Sequence, residues 1–354
     1  MPPPSTGKVQ TVLGPVAPEA IGPTLTHEHL FIDFGVVFQP PAEASQLALA
    51  YAPVSLENLG WVRLHWNSNL DNLRLWDEET AIAEARRFQR AGGSCIVDAT
   101  IVGLGRDPLA LARVARATGL HIVMGTGYYV AAAHPSDMDA RTEASLAEEM
   151  VRDITAGVGD TGVKAGIIGE IGCSWPLHPR ERMVLRAAAR AQRRTGASLL
   201  IHPGRAEEAP WEILQVLQEA GADLTRVVMG HLDRTVFHRS TLLRIAQTGC
   251  VLEWDLFGQE TWHYPLNPAV DMPSDAQRLE TIRWCVSQGL GERIVIAHDI
   301  CTKHRLARYG GHGYGYILEH IVPTMRRRGF TEEQIETILV HTPRRLLTLA
   351  EPRE

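Results

Sequence analysis

The sequence predicts an α/β fold, a (β/α)₈ barrel spanning residues 1–354 as one domain, and three observations carry that prediction. Eight short runs rich in Val, Ile and Leu recur along the chain, the pattern of parallel strands buried on both faces. Segments with apolar residues at three- and four-residue spacing lie between them, so strand and helix alternate. Five of the runs end in His, Glu or Asp, which gathers polar groups at one end of a barrel. A doubly wound open sheet is the alternative, but no Gly-rich dinucleotide fingerprint follows the first strand.

Taken in order, residues 1–23 are expected to cover the end of the barrel opposite those polar groups. The strand runs are 24–29 (TLTHEH), 94–100 (SCIVDAT), 121–129 (HIVMGTGYY), 165–172 (AGIIGEIG), 198–204 (SLLIHPG), 226–233 (RVVMGHLD), 250–256 (CVLEWDL) and 294–300 (IVIAHDI). Helical spacing is clear over 78–92, 108–119, 179–196 and 209–221, and all four segments close on Gly, a common helix end. Two stretches exceed ordinary connections. Residues 31–77, with Trp61, Trp66 and Trp76, follow the first strand, and residues 301–329 follow the last. Both are expected as inserts on the face where barrel loops carry function.

With 45% hydrophobic and 21% charged residues, the composition is that of a globular protein. A net charge of −6 excludes a general attraction to nucleic acid or to an anionic membrane. No apolar stretch reaches membrane-spanning length, and MPPPSTGKVQ lacks a signal-peptide apolar segment, so a soluble cytoplasmic protein is expected. The five cysteines (Cys95, Cys173, Cys250, Cys285, Cys301) are widely spaced without a CxxC pair, which indicates neither a disulfide framework nor a zinc knuckle.

Six residues at the strand ends are candidate metal ligands: His27, His29, Glu170, His202, His231 and Asp299. His27 and His29 are two apart on a strand and point to one face, as two imidazoles gripping one ion require. His298 and Asp299 are neighbours, so only one faces inward; Asp299 is chosen because a carboxylate both binds metal and shuttles a proton. Any one of these histidines alone suits a satisfied core or loop position. Together, unpartnered ionisable groups at one end of five strands would cost several kcal/mol each, which divalent cations offset.

The segments THEHL, GIIGEIGCSWPL, IHPGR, LQEAGADLTRVVMGHLDRT and HDICTKHRL resemble the phosphotriesterase family of the amidohydrolase superfamily over nearly the whole chain, and more narrowly its phosphotriesterase-related branch. The resemblance implies two divalent metals, with His27, His29 and Asp299 on the buried one and His202 and His231 on the exposed one. It also implies a bridging carboxylate and a possible homodimer. The best-known members bridge with a carbamylated lysine, whereas the lysines here are Lys8, Lys164 and Lys303. Lys164 would sit roughly 20 Å lower on its strand than Glu170, at about 3.3 Å per residue. Glu170 is therefore expected as the bridge.

Two such cations would turn a bridging water into hydroxide near neutral pH, with Asp299 taking its proton and passing it to the leaving group. Zinc suits the His/carboxylate set best, with manganese, cobalt or iron as alternatives. Arg205 and Arg234 each follow a ligand histidine by three residues and, with Lys303, His304 and Arg305, form a positive rim for a small anionic substrate. An alternative pairs these cations with Asp233, Glu207 or Glu208. Tyr128 and Tyr129 are expected either to line the pocket or to pack under the insert, and Glu253 and Asp255 either to touch substrate or to hold an arginine. The branch implies hydrolysis of the amide of a small anionic N-acyl amino compound such as N-acetyltaurine. Alternatives on the same centre are a lactonase or carboxylic esterase and a phosphotriesterase; one of another class is a non-catalytic metal-binding scaffold.

Overall fold

The computed structural model describes residues 5–261 and 264–353. Eight parallel strands follow one another around a sheet in chain order. They are β1 (Thr24–Glu28), β2 (Cys95–Asp98), β3 (His121–Thr126), β4 (Ile167–Gly172), β5 (Leu199–His202), β6 (Val227–Met229), β7 (Val251–Trp254) and β8 (Ile294–Ile296). Seven helices alternate with them: α1 (Glu78–Arg90), α2 (Pro108–Thr118), α3 (Glu143–Thr155), α4 (Pro179–Thr195), α5 (Ala209–Glu219), α6 (Arg239–Gln247) and α7 (Asp275–Ser287). After β8 the wall is completed by helical residues Ile317–Arg327 and Glu332–Leu347. Together they make the (β/α)₈ barrel. The seam between β8 and β1 is tied by the Asp299 N–H donating to His27 O at 3.1 Å.

Local chemistry sets the helix ends. Asp107 caps α2, accepting from Ala110 N–H just ahead of Pro108, and the helix stops at Gly119 in the left-handed region. Pro179 opens α4, with His178 and Glu181 forming a reciprocal cap.

Strand residues divide between two cores. Leu200, Val228 and Val251 stand opposite one another across β5, β6 and β7, and with Val97, Val123 and Val295 they fill the barrel interior. Their neighbours Ile201, Met229 and Leu252 point outward to the helices. Burial on both faces is why the runs read as continuously apolar. At the strands' N-terminal end the hairpin of Val9–Thr11 and Gly14–Val16 bonds to Ile122 O and Leu349, and Val9 and Ile21 join Leu346 and Leu347 in closing the interior.

Of the two expected inserts, residues 31–77 fold over the other end, anchored by Ile32–Asp33 pairing with Arg74–Leu75. Of its tryptophans only Trp66 reaches the central cavity, stacked on Phe34 at 6.3 Å, while Trp76 is exposed. The second insert is shorter than expected, because from Ile317 the chain is already helical.

Candidate metal centre

Breaks in the ladder aim the central side chains. The pairing of β1 with β2 loses register between Leu25 and Glu28, and that of β4 with β5 between Ile168 and Ile171, which re-aims His27 and Glu170. Gly169 sits at φ +132°, where a Cβ would lie 2.2 Å from Leu200 O, so only glycine fits ahead of Glu170. His231 (φ 53°) and Asp299 (φ 51°) are the described non-glycine residues with positive φ, and both are among the six candidate ligands. Strain of this kind persists where surrounding structure over-determines it, commonly at functional sites.

The six candidates converge. One oxygen of Glu170, Oε2, lies 3.5 Å from His27 Nε2 and 3.8 Å from His29 Nε2. The other, Oε1, lies 2.5 Å from His202 Nδ1 and 3.1 Å from His231 Nε2. Asp299 Oδ1 stands 3.2 Å from His29 Nε2 and 3.9 Å from His27 Nε2, completing the first set. His231 Nε2 and His202 Nδ1 are 2.8 Å apart, completing the second. Glu170 thus has one oxygen in each set. Burial opposes its charge, but His27 and His202 outweigh that and hold the carboxyl well below the usual range.

Partners behind the histidines fix which nitrogen faces inward. Thr100 donates its hydroxyl to Phe31 O, so it accepts from His29 Nδ1–H at 2.9 Å and leaves the Nε2 lone pair toward Asp299. Asp255 takes His231 Nδ1–H at 2.7 Å, freeing His231 Nε2 in the same way. His27 Nε2 is fully buried without a hydrogen-bond partner. Lone pairs of buried imidazoles and carboxylates facing one another, with donor atoms of His27, His29 and Asp299 and of His27, Glu170 and His231 within 4.8 Å, fit divalent cations.

Several expectations need correction. The strands end earlier than the apolar runs: β8 stops at Ile296, so neither His298 nor Asp299 is on a strand, and a left-handed turn rather than strand alternation points Asp299 inward. His298 instead bonds Glu28 through Nδ1 at 2.6 Å and accepts Ile317 N–H. His29 likewise lies one residue past β1. Glu253 and Asp255 hold no arginine; they back His27 Nδ1 at 3.4 and 3.0 Å. Tyr128 does not line the cavity: its buried hydroxyl accepts from Arg141 Nη1 at 2.6 Å. Asp233 pairs with Arg278, and Glu207 with His238, so neither holds the rim cations. Lys164 lies three residues before β4, outside the cluster.

The centre forms the floor of a cavity that is open to solvent at its mouth. Its lining is mixed: Ile32, Phe34, Trp66 and Leu104 are apolar and Tyr129, Arg205, Arg234, Gln259 and Tyr264 are polar, with Phe34 meeting the Tyr129 ring edge-on at 6.2 Å. Tyr129 brings its hydroxyl 3.3 Å from His202 Nδ1. Cys301 also reaches the cavity, with its thiol pushed well above the ordinary range by burial. Sequence reading missed Glu28, Thr100 and the supporting role of Asp255; acidic residues in otherwise apolar runs were the available signal.

A model of the phosphotriesterase family matches residues 7–347. The phosphotriesterase-related protein of Nematostella vectensis is 48% identical over 97% of this chain and 99% of its own length. The N-acetyltaurine hydrolase of Homo sapiens is 46% identical, covering 97% of this chain and 98% of its own. Among solved structures, a resiniferatoxin-binding protein from Rhodobacter sphaeroides superposes with a TM-score of 0.94 at 36% identity over 99% of both chains. A likeness that runs almost end to end, on the same barrel, leads to one conclusion: this hydrolase belongs to the phosphotriesterase family.

Proposed function

We propose that this protein hydrolyses the amide bond of a small anionic N-acyl amino compound, N-acetyltaurine being the model substrate, at a centre of two divalent metals. His27, His29 and Asp299 would hold one ion and His202 and His231 the other, with Glu170 shared between them. The observation that carries this reading is the division of Glu170, whose two oxygens lie within 3.5 Å of His27 and 2.5 Å of His202 respectively. Zinc suits the donor set best. When bound, such a pair supplies Lewis acidity to the substrate carbonyl and lowers the pKa of water to about 7.

The chain's own groups do the rest. Asp299, 15% exposed to the cavity, is the catalytic residue: its carboxylate takes the proton of the attacking water and returns it to the departing amine nitrogen. Ile32, Phe34 and Trp66 exclude bulk water from the acyl side. Tyr129 and Arg205 supply polar groups to the same cavity. The choice of substrate rests on relatives that are N-acetyltaurine hydrolases at 46% identity.

The test is elemental analysis coupled to turnover. Protein stripped with chelator and reloaded with zinc should bind about two ions per chain and release taurine from N-acetyltaurine. Glu170→Ala should lose both properties, and Lys164→Ala neither. Metal-free activity, or metals retained without Glu170 but lost without Lys164, would overturn the assignment.

A further inference from the structure

Five cationic or potentially cationic side chains line or approach the mouth of the cavity, and their commitments differ. Arg234 is buried and spends Nη1 on Thr235 Oγ1 at 3.1 Å and Nη2 on His202 Nε2 and Pro203 O at 3.2 and 3.3 Å. Arg305 donates Nη1 to Asp299 O at 2.6 Å and Nη2 to Phe257 O and His298 O. Lys303 is paired with Asp71 at 2.6 Å, and His304 Nδ1 meets Asn72 Oδ1 at 3.0 Å. These four hold the loops together.

Arg205 is different. Its backbone carbonyl is held by Asn267 Nδ2 at 3.1 Å, and its Nε donates to Tyr264 Oη at 2.8 Å. The guanidinium carbon lies 5.8 Å from the centre of the Tyr264 ring. Backbone and Nε are anchored, yet Nη1 and Nη2 have no hydrogen-bond partner and no carboxylate among the described residues, on a side chain that lines the cavity. A half-buried guanidinium without a counter-charge is costly, and its two terminal amines present a planar fork suited to a pair of anionic oxygens. The cavity is also lined by Ile32, Phe34 and Leu104, which offer nothing to a charge.

We infer that Arg205 is a specificity-determining residue that receives the acidic group on the amine half of the substrate, a sulfonate or carboxylate, through Nη1 and Nη2. Tyr264 holds the plane of the fork, and the acyl group is left to the apolar part of the lining. This inference rests on the amide-hydrolysis reading and fixes the orientation of substrate within it. Arg234, by contrast, is a structural support for His202.

The experiment compares N-acetyltaurine with N-propylacetamide, which has the same acyl group and a neutral tail, in the zinc-loaded wild type, R205M and R205K. For N-acetyltaurine, R205M should lose on the order of 100-fold in kcat/KM, mostly in KM, as expected for a lost charge-assisted pair. N-propylacetamide should change by less than about threefold, and R205K should recover part of the loss because it keeps the charge without the fork. Equal losses on both substrates, or none on N-acetyltaurine, would overturn the inference. If the wild type turns over neither compound, the amide-hydrolysis reading falls, and calorimetric titration with N-acetyltaurine then decides the subsite separately. Binding to wild type that R205M loses supports it; binding that is absent or indifferent to the variant overturns it.

Discussion

Asp255 stands behind two histidines that belong to different sets of candidate ligands. Its Oδ1 lies 2.7 Å from His231 Nδ1, and its Oδ2 takes the His231 backbone N–H at 2.9 Å while lying 3.0 Å from His27 Nδ1. Burial opposes its ionisation, but His231 holds the carboxyl well below the usual range, so it stays charged and acts as an acceptor. One carboxylate therefore holds the His231 imidazole and stands beside that of His27, on either side of Glu170. Asp255→Asn should weaken metal affinity by about 10–100-fold, the usual cost of losing a partner that orients a ligand. Competition against a chromophoric chelator measures this, and an unchanged affinity would refute the orienting role.

Glu28 ties down the turn that carries Asp299. Its Oε1 accepts His298 N–H at 2.8 Å and His298 Nδ1–H at 2.6 Å, and its Oε2 accepts Ile300 N–H at 3.0 Å. Asp299, between them, is held in the left-handed region. Glu28→Ala leaves three buried donors unmet, each costing about 1–3 kcal/mol. Scanning calorimetry should show a lower unfolding temperature than wild type, with turnover reduced at least about tenfold as Asp299 loses its position. Glu28→Gln, which retains one acceptor oxygen, should fall between the two. A wild-type midpoint for Glu28→Ala would sink the argument.

The buried pair of Arg278 and Asp233, 2.9 Å apart, secures the loop after β6. Asp233 also accepts Leu256 N–H at 3.0 Å, and Arg278 reaches Asp275 at 2.7 Å. Replacing Arg278 by Met strands a charge in the interior and should cost about 3–5 kcal/mol, seen as a lower urea midpoint. A loss below about 0.5 kcal/mol, the scale of an ordinary surface change, would show that the pair is not stabilising in context.

Stability should fall on mild acidification through His304. Burial, with Arg305 and Arg63 adding to it, pushes this imidazole down to about 3. In the unfolded chain it titrates near its ordinary value of about 6.5. The unfolded state therefore binds the proton first, so the contribution is fully present above about 6.5 and is lost as pH falls from there toward 3. The cost is about 1.4 kcal/mol per unit, or about 2 kcal/mol by pH 5. Urea unfolding of wild type and His304→Gln at pH 7 and pH 5 tests this: the variant should lose less stability between the two. Parallel losses would assign the acid sensitivity elsewhere.

Periodicity is a local property, so it was legible. The four helices marked by apolar spacing lie within two residues of their expected ends, and all eight strands fall inside the expected runs. Strand ends were less visible, because the apolar run continues past the last paired residue, as after Ile296 in β8. Tyr128 and Tyr129 illustrate a further limit: both lie beyond Thr126, where β3 ends and strand alternation no longer says which residue meets the cavity. The rim cations illustrate another. From sequence Arg205 and Arg234 were equivalent, each three residues past a histidine, and only the neighbours supplied by distant segments separate them.

By itself the sequence determined the barrel, its order of strands and helices, and the six polar residues that meet at one end, since each depends on spacing along the chain. Only the tertiary structure decided that the two oxygens of Glu170 face different sets of candidate ligands, that Asp255 holds His231 and Glu28 the turn of Asp299, and that Arg205 keeps its terminal amines without partners among the described residues. Those are relations between residues up to 270 positions apart, as Glu28 and His298 are. Hydrogen bonds and charge pairs act over a few ångströms of space, and no spacing along a chain encodes which groups will come that near.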